Sequence, residues 1–175
     1  MFNAIFFDRD GIVNNSILTK EGQRPPWNKG EIVISEEFIN LKNEYSKKYK
    51  IFIVSNQPDF IRGNISKQKL LNVNSEIIKK VDPDDFEVDY SDDPKYKKPS
   101  PYMLIRLIKK HNIDPNKSWM IGDRWSDIKS GQLAGCKTIL VENKFSYSKN
   151  NDGVFVRINP DHTVKTLKDI YKIVK

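Results

Sequence analysis

The sequence predicts a doubly wound α/β fold: a Rossmann-like parallel sheet with helices on both faces. Short apolar runs alternate with stretches of helical spacing, the rhythm of strands joined by right-handed crossovers. The runs are apolar along their whole length, as in strands covered on both sides. Polar residues gather where the runs end, at Asp8 and Asp10, at Ser55 and Asn56, and at Asp123. Open sheets of this class bind ligands outside the carboxyl ends of their strands, so these three clusters are expected to meet at one edge.

The elements follow in order. Ile5-Phe6-Phe7 is the first strand and stops at Asp8. Residues 36–46 place Phe38, Leu41 and Tyr45 on one helical face, and "KIFIVSNQ" (50–57) is the next strand. Ser66 caps a helix bearing Leu70, Val73 and Ile77. "FEVDY" (86–90) is a short strand, and Pro101 opens a helix carrying Leu104, Leu107 and Ile108. "SWMIGD" (118–123) is a fourth strand, and Ser126 is expected to cap the helix after it. "KTILVE" (137–142) and "VFVRI" (154–158) add two strands, and Val164, Leu167, Tyr171 and Val174 line a terminal helix.

At 175 residues the chain is expected to form one domain, 1–175. Hydrophobic residues at 38% and charged residues at 30% fit a globular protein rather than a disordered one. The chain opens directly on a strand pattern and no run approaches a membrane span, so no membrane partner is expected. The single cysteine, Cys136, lies in an apolar stretch and suits packing in a reducing, cytoplasmic setting. Thirty Lys and Arg against 23 Asp and Glu give a charge of +7, which favours anionic ligands. The excess is scattered lysine without a basic track of interleaved aromatics, an argument against nucleic acid as the partner.

Two aspartates flank one arginine in "FFDRDGIVNN" (6–15), and carboxylates this close raise one another's pKa unless a cation or proton is shared. A turn would explain this stretch alone. The ordered set is more specific: "DRDG" after the first strand, "SNQ" after the second, "KKP" before a helix and "GDRWSD" after the fourth strand. From Asp8 to about Val141 this series resembles the four motifs of the haloacid dehalogenase superfamily. "DRDGIVN" and "SNQPDFIRG" are most similar to its small histidinol-phosphate and heptose-bisphosphate phosphatase branch. The resemblance implies a magnesium-dependent phosphomonoesterase working through an aspartyl-phosphate.

The chemistry assigns the roles. Phosphoryl transfer needs an in-line nucleophile, neutralised phosphate charge and a proton for the leaving alkoxide. Asp8 is the candidate nucleophile and Asp10 the acid and base, with Gly11 allowing the sharp turn after them. Magnesium takes oxygen ligands, here Asp8, the Asp10 carbonyl and Asp123, with Asp127 in support one helical turn on. Ser55, Asn56 and Lys98 are the phosphate-binding candidates, and Arg62 and Lys97 candidate contacts to the rest of a substrate.

Relatives in this branch often carry a structural zinc loop before the motif lysine. The matching stretch "DYSDDPKYKKP" has Asp89, Ser91, Pro94 and Tyr96 at the ligand positions, so no structural zinc is expected. Ordering of this loop is assigned to Pro94, Pro99 and packing. No segment is long enough for a separate cap domain, which leaves "NNSILTKEGQRPPWNKG" (14–30) as a rim loop. Trp27 is an anchor of that loop or a substrate contact, Trp119 a core residue, and Trp125 a shield for the site. The expected substrate is a small phosphorylated metabolite, a sugar or alditol phosphate such as a heptose bisphosphate. A nucleic-acid 3′-phosphatase is the alternative with the same chemistry. A receiver-like signalling domain fits less well, because its phosphoacceptor sits on a later strand.

Overall fold

A computed structural model of the chain describes residues 1–20, 22–147 and 156–175. In chain order its elements are β1 (Ala4–Asp8), β2 (Ile17–Thr19), β3 (Gly22–Arg24), α1 (Glu36–Tyr45), β4 (Lys50–Asn56), α2 (Lys67–Val81) and β5 (Asp85–Asp89). There follow α3 (Tyr102–His111), β6 (Trp119–Gly122), α4 (Trp125–Leu133), β7 (Lys137–Val141) and β8 (His162–Val164). Six strands form one sheet in the order β5-β4-β1-β6-β7-β8, and every neighbouring pair is parallel. The chain builds outward from β1 through β4 to β5, then returns to the other side of β1. This reversal puts the crevice of a doubly wound sheet at the end of β1.

The alternation of side chains along β1 explains its unbroken apolar run. Ile5 and Phe7 join one core with Phe38 and Leu41 of α1 and Val73 and Ile77 of α2. Ala4 and Phe6 join the opposite core with Met103, Leu104 and Leu107 of α3. Phe7 meets Phe38 edge-on with centroids 5.1 Å apart, and Phe6 meets Phe52 at 5.3 Å. Each such ring, fully removed from water, contributes about 1.5–3 kcal/mol. Trp119 and Cys136 are buried, as their apolar settings suggest.

Local signals set the helix ends. The hydroxyl of Ser66 accepts the backbone N–H of Lys69 and starts α2, and Ser35 does the same for α1 through Phe38. Helix α4 departs from expectation: its N-cap is Arg124 rather than Ser126. The Asp127 carboxylate reaches back to accept the Arg124 backbone N–H at 3.0 Å, the acidic half of a capping box.

Three further expectations are corrected. Within 14–30, Ile17–Thr19 and Gly22–Arg24 pair antiparallel, so part of the rim is a hairpin rather than a loop. In the expected strand 154–158, residues 154 and 155 lie outside the described residues and 156–158 form no strand; β8 instead uses His162–Val164, paired with Ile139–Val141. With Val164 in that strand, the terminal helix shortens to a 3₁₀ segment, Leu167–Lys172. Leu167, Ile170 and Val174 still pack on the α1 side, where the Tyr45 hydroxyl donates to the Val174 carbonyl at 2.9 Å. Among the described residues no helix is long and apolar enough to cross a membrane.

Candidate active site

The carboxyl ends of β1, β4 and β6 converge on a cleft of about 1060 Å³. Asp8, Asp10, Ser55, Asn56, Lys98 and Asp127 line it, and Asp123 lies fully buried beside them. Lys98 is the organising cation. Its Nζ donates to Asp8 Oδ1 at 2.5 Å and to the Val54 carbonyl at 3.0 Å, and lies 2.7 Å from Asp127 Oδ1. Asn56 holds that lysine in register: its Nδ2 donates to the Lys98 carbonyl at 2.9 Å and its Oδ1 accepts the Lys98 N–H at 2.8 Å. The Asn56 amide is thus engaged with the Lys98 backbone.

Two glycines make the crowding possible. Gly11 has φ +94°, and a Cβ there would stand 2.5 Å from Asp123 Oδ2. A Cβ on Gly122 would stand 2.3 Å from Asp127 Cβ, so only glycine lets α4 bring Asp127 against β6.

Asp8, Asp123 and Asp127 each offer an oxygen within 4.8 Å of the others. One lysine cannot neutralise three carboxylates. Burial pushes Asp8 up to about 7, helped by Asp127, Asp123 and Asp10 and opposed by Lys98. Burial, then Asp127, pushes Asp123 up to about 6. Burial also works against the charge on Lys98, but Asp127 and Asp8 outweigh it and raise the ammonium above its ordinary value. Asn143 Nδ2 donates to Asp123 Oδ2 at 2.9 Å, while Asp123 Oδ1 is buried with no hydrogen-bond partner among the described residues. An orphaned carboxylate oxygen within an excess of buried negative charge fits a hard divalent cation such as magnesium. Asp8 and Asp123 have the freer oxygens for it, since both Asp127 oxygens are engaged, one by Lys98 and one by the Arg124 N–H.

The raised carboxyls fix the sign of a pH effect. Between the ordinary value of 3.8 and about 7, the folded protein retains protons that the unfolded chain has released. Stability without metal should therefore fall as pH rises across that window. Magnesium competes with those protons, so its affinity should increase from pH 6 to pH 8. Titration calorimetry with magnesium alone, beside thermal melts, checks both; affinity flat or falling with pH would contradict the cluster as the cation site.

Asp10 sits among four donor groups. Arg9 Nη2 reaches both carboxylate oxygens at 2.9 and 2.8 Å, and Arg9 Nε donates at 3.1 Å. Asn14 Nδ2 donates at 3.0 Å and Gln57 Nε2 at 2.6 Å. Gln57 Nε2 also donates to Ser55 Oγ at 2.8 Å, tying the hydroxyl at the end of β4 to the carboxylate just beyond β1.

Arg62 and Lys97 reach the cleft but are engaged. Arg62 Nε and Nη2 donate to the two Asp92 oxygens at 3.0 Å each, and Lys97 Nζ donates to Asp92 Oδ1 at 2.7 Å. In the segment whose ordering was assigned to Pro94, Pro99 and packing, carboxylates also accept hydrogen bonds. Asp89 accepts from Ser91 Oγ at 2.7 Å and from the Asp92 N–H at 3.2 Å, and Asp93 accepts the Lys95 N–H at 2.8 Å. Trp27 is both anchored and at the rim. The Arg24 guanidinium lies 4.2 Å from its ring centroid, Glu31 accepts the Trp27 backbone N–H at 2.8 Å, and the residue lines the cleft with Trp125.

Sequence reasoning missed Arg9, Asn14, Gln57 and Asn143. Three of them lie inside the quoted motifs, yet which way each side chain turns is settled by tertiary contacts. Asn143 follows β7 and carries no local signal.

Residues 95–170 match a hydrolase family model described as HAD-hydrolase-like. The D-glycero-beta-D-manno-heptose-1,7-bisphosphate 7-phosphatase of Pasteurella multocida is 30% identical over 191 residues, covering 100% of this chain and 98% of that protein. The D-glycero-D-manno-heptose-1,7-bisphosphate 7-phosphatase of Chlorobaculum tepidum is 28% identical over 196 residues, covering 98% and 92%. The crystal structure of D,D-heptose 1,7-bisphosphate phosphatase from B. bronchiseptica, complexed with magnesium and phosphate, superposes with TM-score 0.71 at 15% identity, over 98% of this chain and 97% of that one. At that identity the likeness is one of fold.

Proposed function

The chain belongs to the haloacid dehalogenase superfamily, in its heptose-bisphosphate phosphatase branch, and on that premise we propose that it hydrolyses a sugar bisphosphate through an aspartyl-phosphate on Asp8. The observation that carries this reading is the Lys98 ammonium shared by Asp8 and Asp127 at 2.5 and 2.7 Å, beside Asp10 on one cleft. A carboxylate oxygen of Asp8 is the attacking atom. It forms a bond to phosphorus as the bond to the sugar oxygen breaks, and Asp10 delivers its proton to that sugar oxygen. Water then attacks the acyl phosphate, Asp10 takes back a proton, and phosphate leaves with Asp8 restored. Magnesium bound to Asp8, Asp123 and the Asp10 carbonyl would neutralise phosphate charge and orient the phosphoryl group. Ser55 lines the cleft beside Asp10 and serves as a hydrogen-bonding contact for the phosphoryl oxygens.

The second phosphate of the substrate is assigned to Arg62 and Lys97, in competition with Asp92. A sugar bisphosphate should accordingly show a higher kcat/KM than the matching monophosphate. Arg62 is 53% exposed, so its contact is weak. Arg62→Ala should raise KM for the bisphosphate by about two- to fivefold with kcat little changed. Steady-state kinetics on both sugars is the check, with a 3′-phosphorylated oligonucleotide as control. Faster turnover of the oligonucleotide would replace the sugar assignment and leave the chemistry.

A further inference from the structure

Arg9 stands between the two motif aspartates, yet it is wholly buried and, among the described residues, heads the fully buried side chains by volume. Arginine keeps its charge wherever it sits, and a buried charge is tolerated only when it is paired and hydrogen-bonded. The carboxylate that Arg9 meets is that of Asp10, gripped by Nη2 at 2.8 and 2.9 Å. Its free arm, Nη1, donates to Asn74 Oδ1, and Asn74, buried on α2, donates through Nδ2 to the Tyr90 hydroxyl at 2.9 Å.

The Asn74 contact satisfies buried N–H groups of Arg9 and at the same time fixes the guanidinium to a second element. Adjacent residues share one turn of backbone, and a guanidinium fastened only to its neighbour would move with the carboxylate it holds. Bracing its far side on α2, and α2 in turn on the residue after β5, gives Asp10 a fixed reference outside its own turn. We propose that Arg9, braced by Asn74 and Tyr90, is a positioning residue that sets the Asp10 carboxylate for proton transfer to the leaving oxygen. This rests on the reading of Asp10 as the acid and base. In the step concerned, the Asp10 proton moves to the sugar oxygen while the phosphorus–oxygen bond to the sugar breaks and the bond to Asp8 forms.

The test uses leaving groups. The value of kcat/KM reports events up to the first phosphoryl transfer. An alkyl phosphate needs a proton in that step, whereas p-nitrophenyl phosphate leaves as a stable phenolate. Asn74→Leu removes the brace without touching a reacting atom. It should lower kcat/KM for the sugar phosphate by roughly 10- to 100-fold, the scale of a misplaced catalytic group, and hold the aryl phosphate within about twofold. Arg9→Lys, which cannot grip both oxygens in one plane, should give the same selective loss. Tyr90→Phe deletes one hydroxyl, keeps the fold, and decides the matter if Asn74→Leu does not fold; it should show a smaller loss of the same selectivity. Asp10→Asn is the internal control. If Asp10→Asn slows both substrates equally, Asp10 is not the acid and the reading of the site fails. If Asp10→Asn is selective while the brace variants slow both substrates equally or neither, Arg9 is a structural ion and the proposal is overturned.

Discussion

Asp8→Asn is expected to fold as the parent does and to lose turnover by roughly 10⁴- to 10⁶-fold, the scale on which covalent mechanisms depend on their nucleophile. The fold should survive for a local reason. The amide oxygen can still accept from Lys98 Nζ, which keeps Asp127 at 2.7 Å and the Val54 carbonyl at 3.0 Å. The substitution also removes one charge from a crowded group of carboxylates. Circular dichroism melts and steady-state rates on one preparation separate the two effects. A rate near that of the parent would show that Asp8 is not the attacking group.

Lys98→Met is expected to act on stability as well as on rate. Removing the buried cation leaves Asp8, Asp123 and Asp127 facing one another with oxygens within 4.8 Å, without the ammonium that pairs with Asp8 and Asp127. Breaking a buried ion pair from one side costs about 3–5 kcal/mol. The sign of its pH dependence follows from the carboxyls. The loss grows as pH rises and these carboxyls ionise; as pH falls toward 5, protonation at Asp8 and Asp123 relieves it, since they are pushed up to about 7 and about 6 even with the lysine present. Magnesium should return part of the loss at pH 7. Urea unfolding of parent and variant at the two pH values measures this; an equal loss at both would mean that Lys98 matters for packing rather than for charge. Lys98→Arg should not rescue, because the pocket fits a compact ammonium with three partners rather than a planar fork.

Much of this site is legible in the sequence because it lies at strand ends. Asp8, Ser55 and Asp123 each follow an apolar run long enough to identify a buried strand, and a parallel sheet brings such ends together whatever the intervening residues are. Lys98 was legible for its place before Pro99 and a helix. What surrounds these residues was not. Arg9 occupies a motif position that pattern alone would leave solvated, and its inward turn depends on Asn74, 65 residues away. Gln57 bridges Ser55 and Asp10 only because β4 lies beside β1. The hairpin of β2 and β3 has three residues a side and none of the alternation that marks a longer strand. At the C-terminal end, the apolar Val154-Phe155-Val156 outcompetes His162-Thr163-Val164 as a strand pattern, yet the latter pairs with β7. The register of an edge strand is decided by the neighbour it finds, which composition does not record.

The covalent intermediate on Asp8 can be caught directly. Asp10→Asn should still allow some phosphoryl transfer to Asp8 from an aryl phosphate while slowing the hydrolysis that follows, by roughly 10²–10⁴-fold for a lost general base. Phosphoenzyme should therefore accumulate in that variant with magnesium present. Acid quenching within the first turnover, reduction of the acyl phosphate with borohydride and peptide mapping locate the modified residue. Homoserine is expected at position 8 in Asp10→Asn, and none in an Asp8→Asn, Asp10→Asn double variant. A modified residue elsewhere, or release of phosphate with no trapped phosphoenzyme at any time, would contradict it.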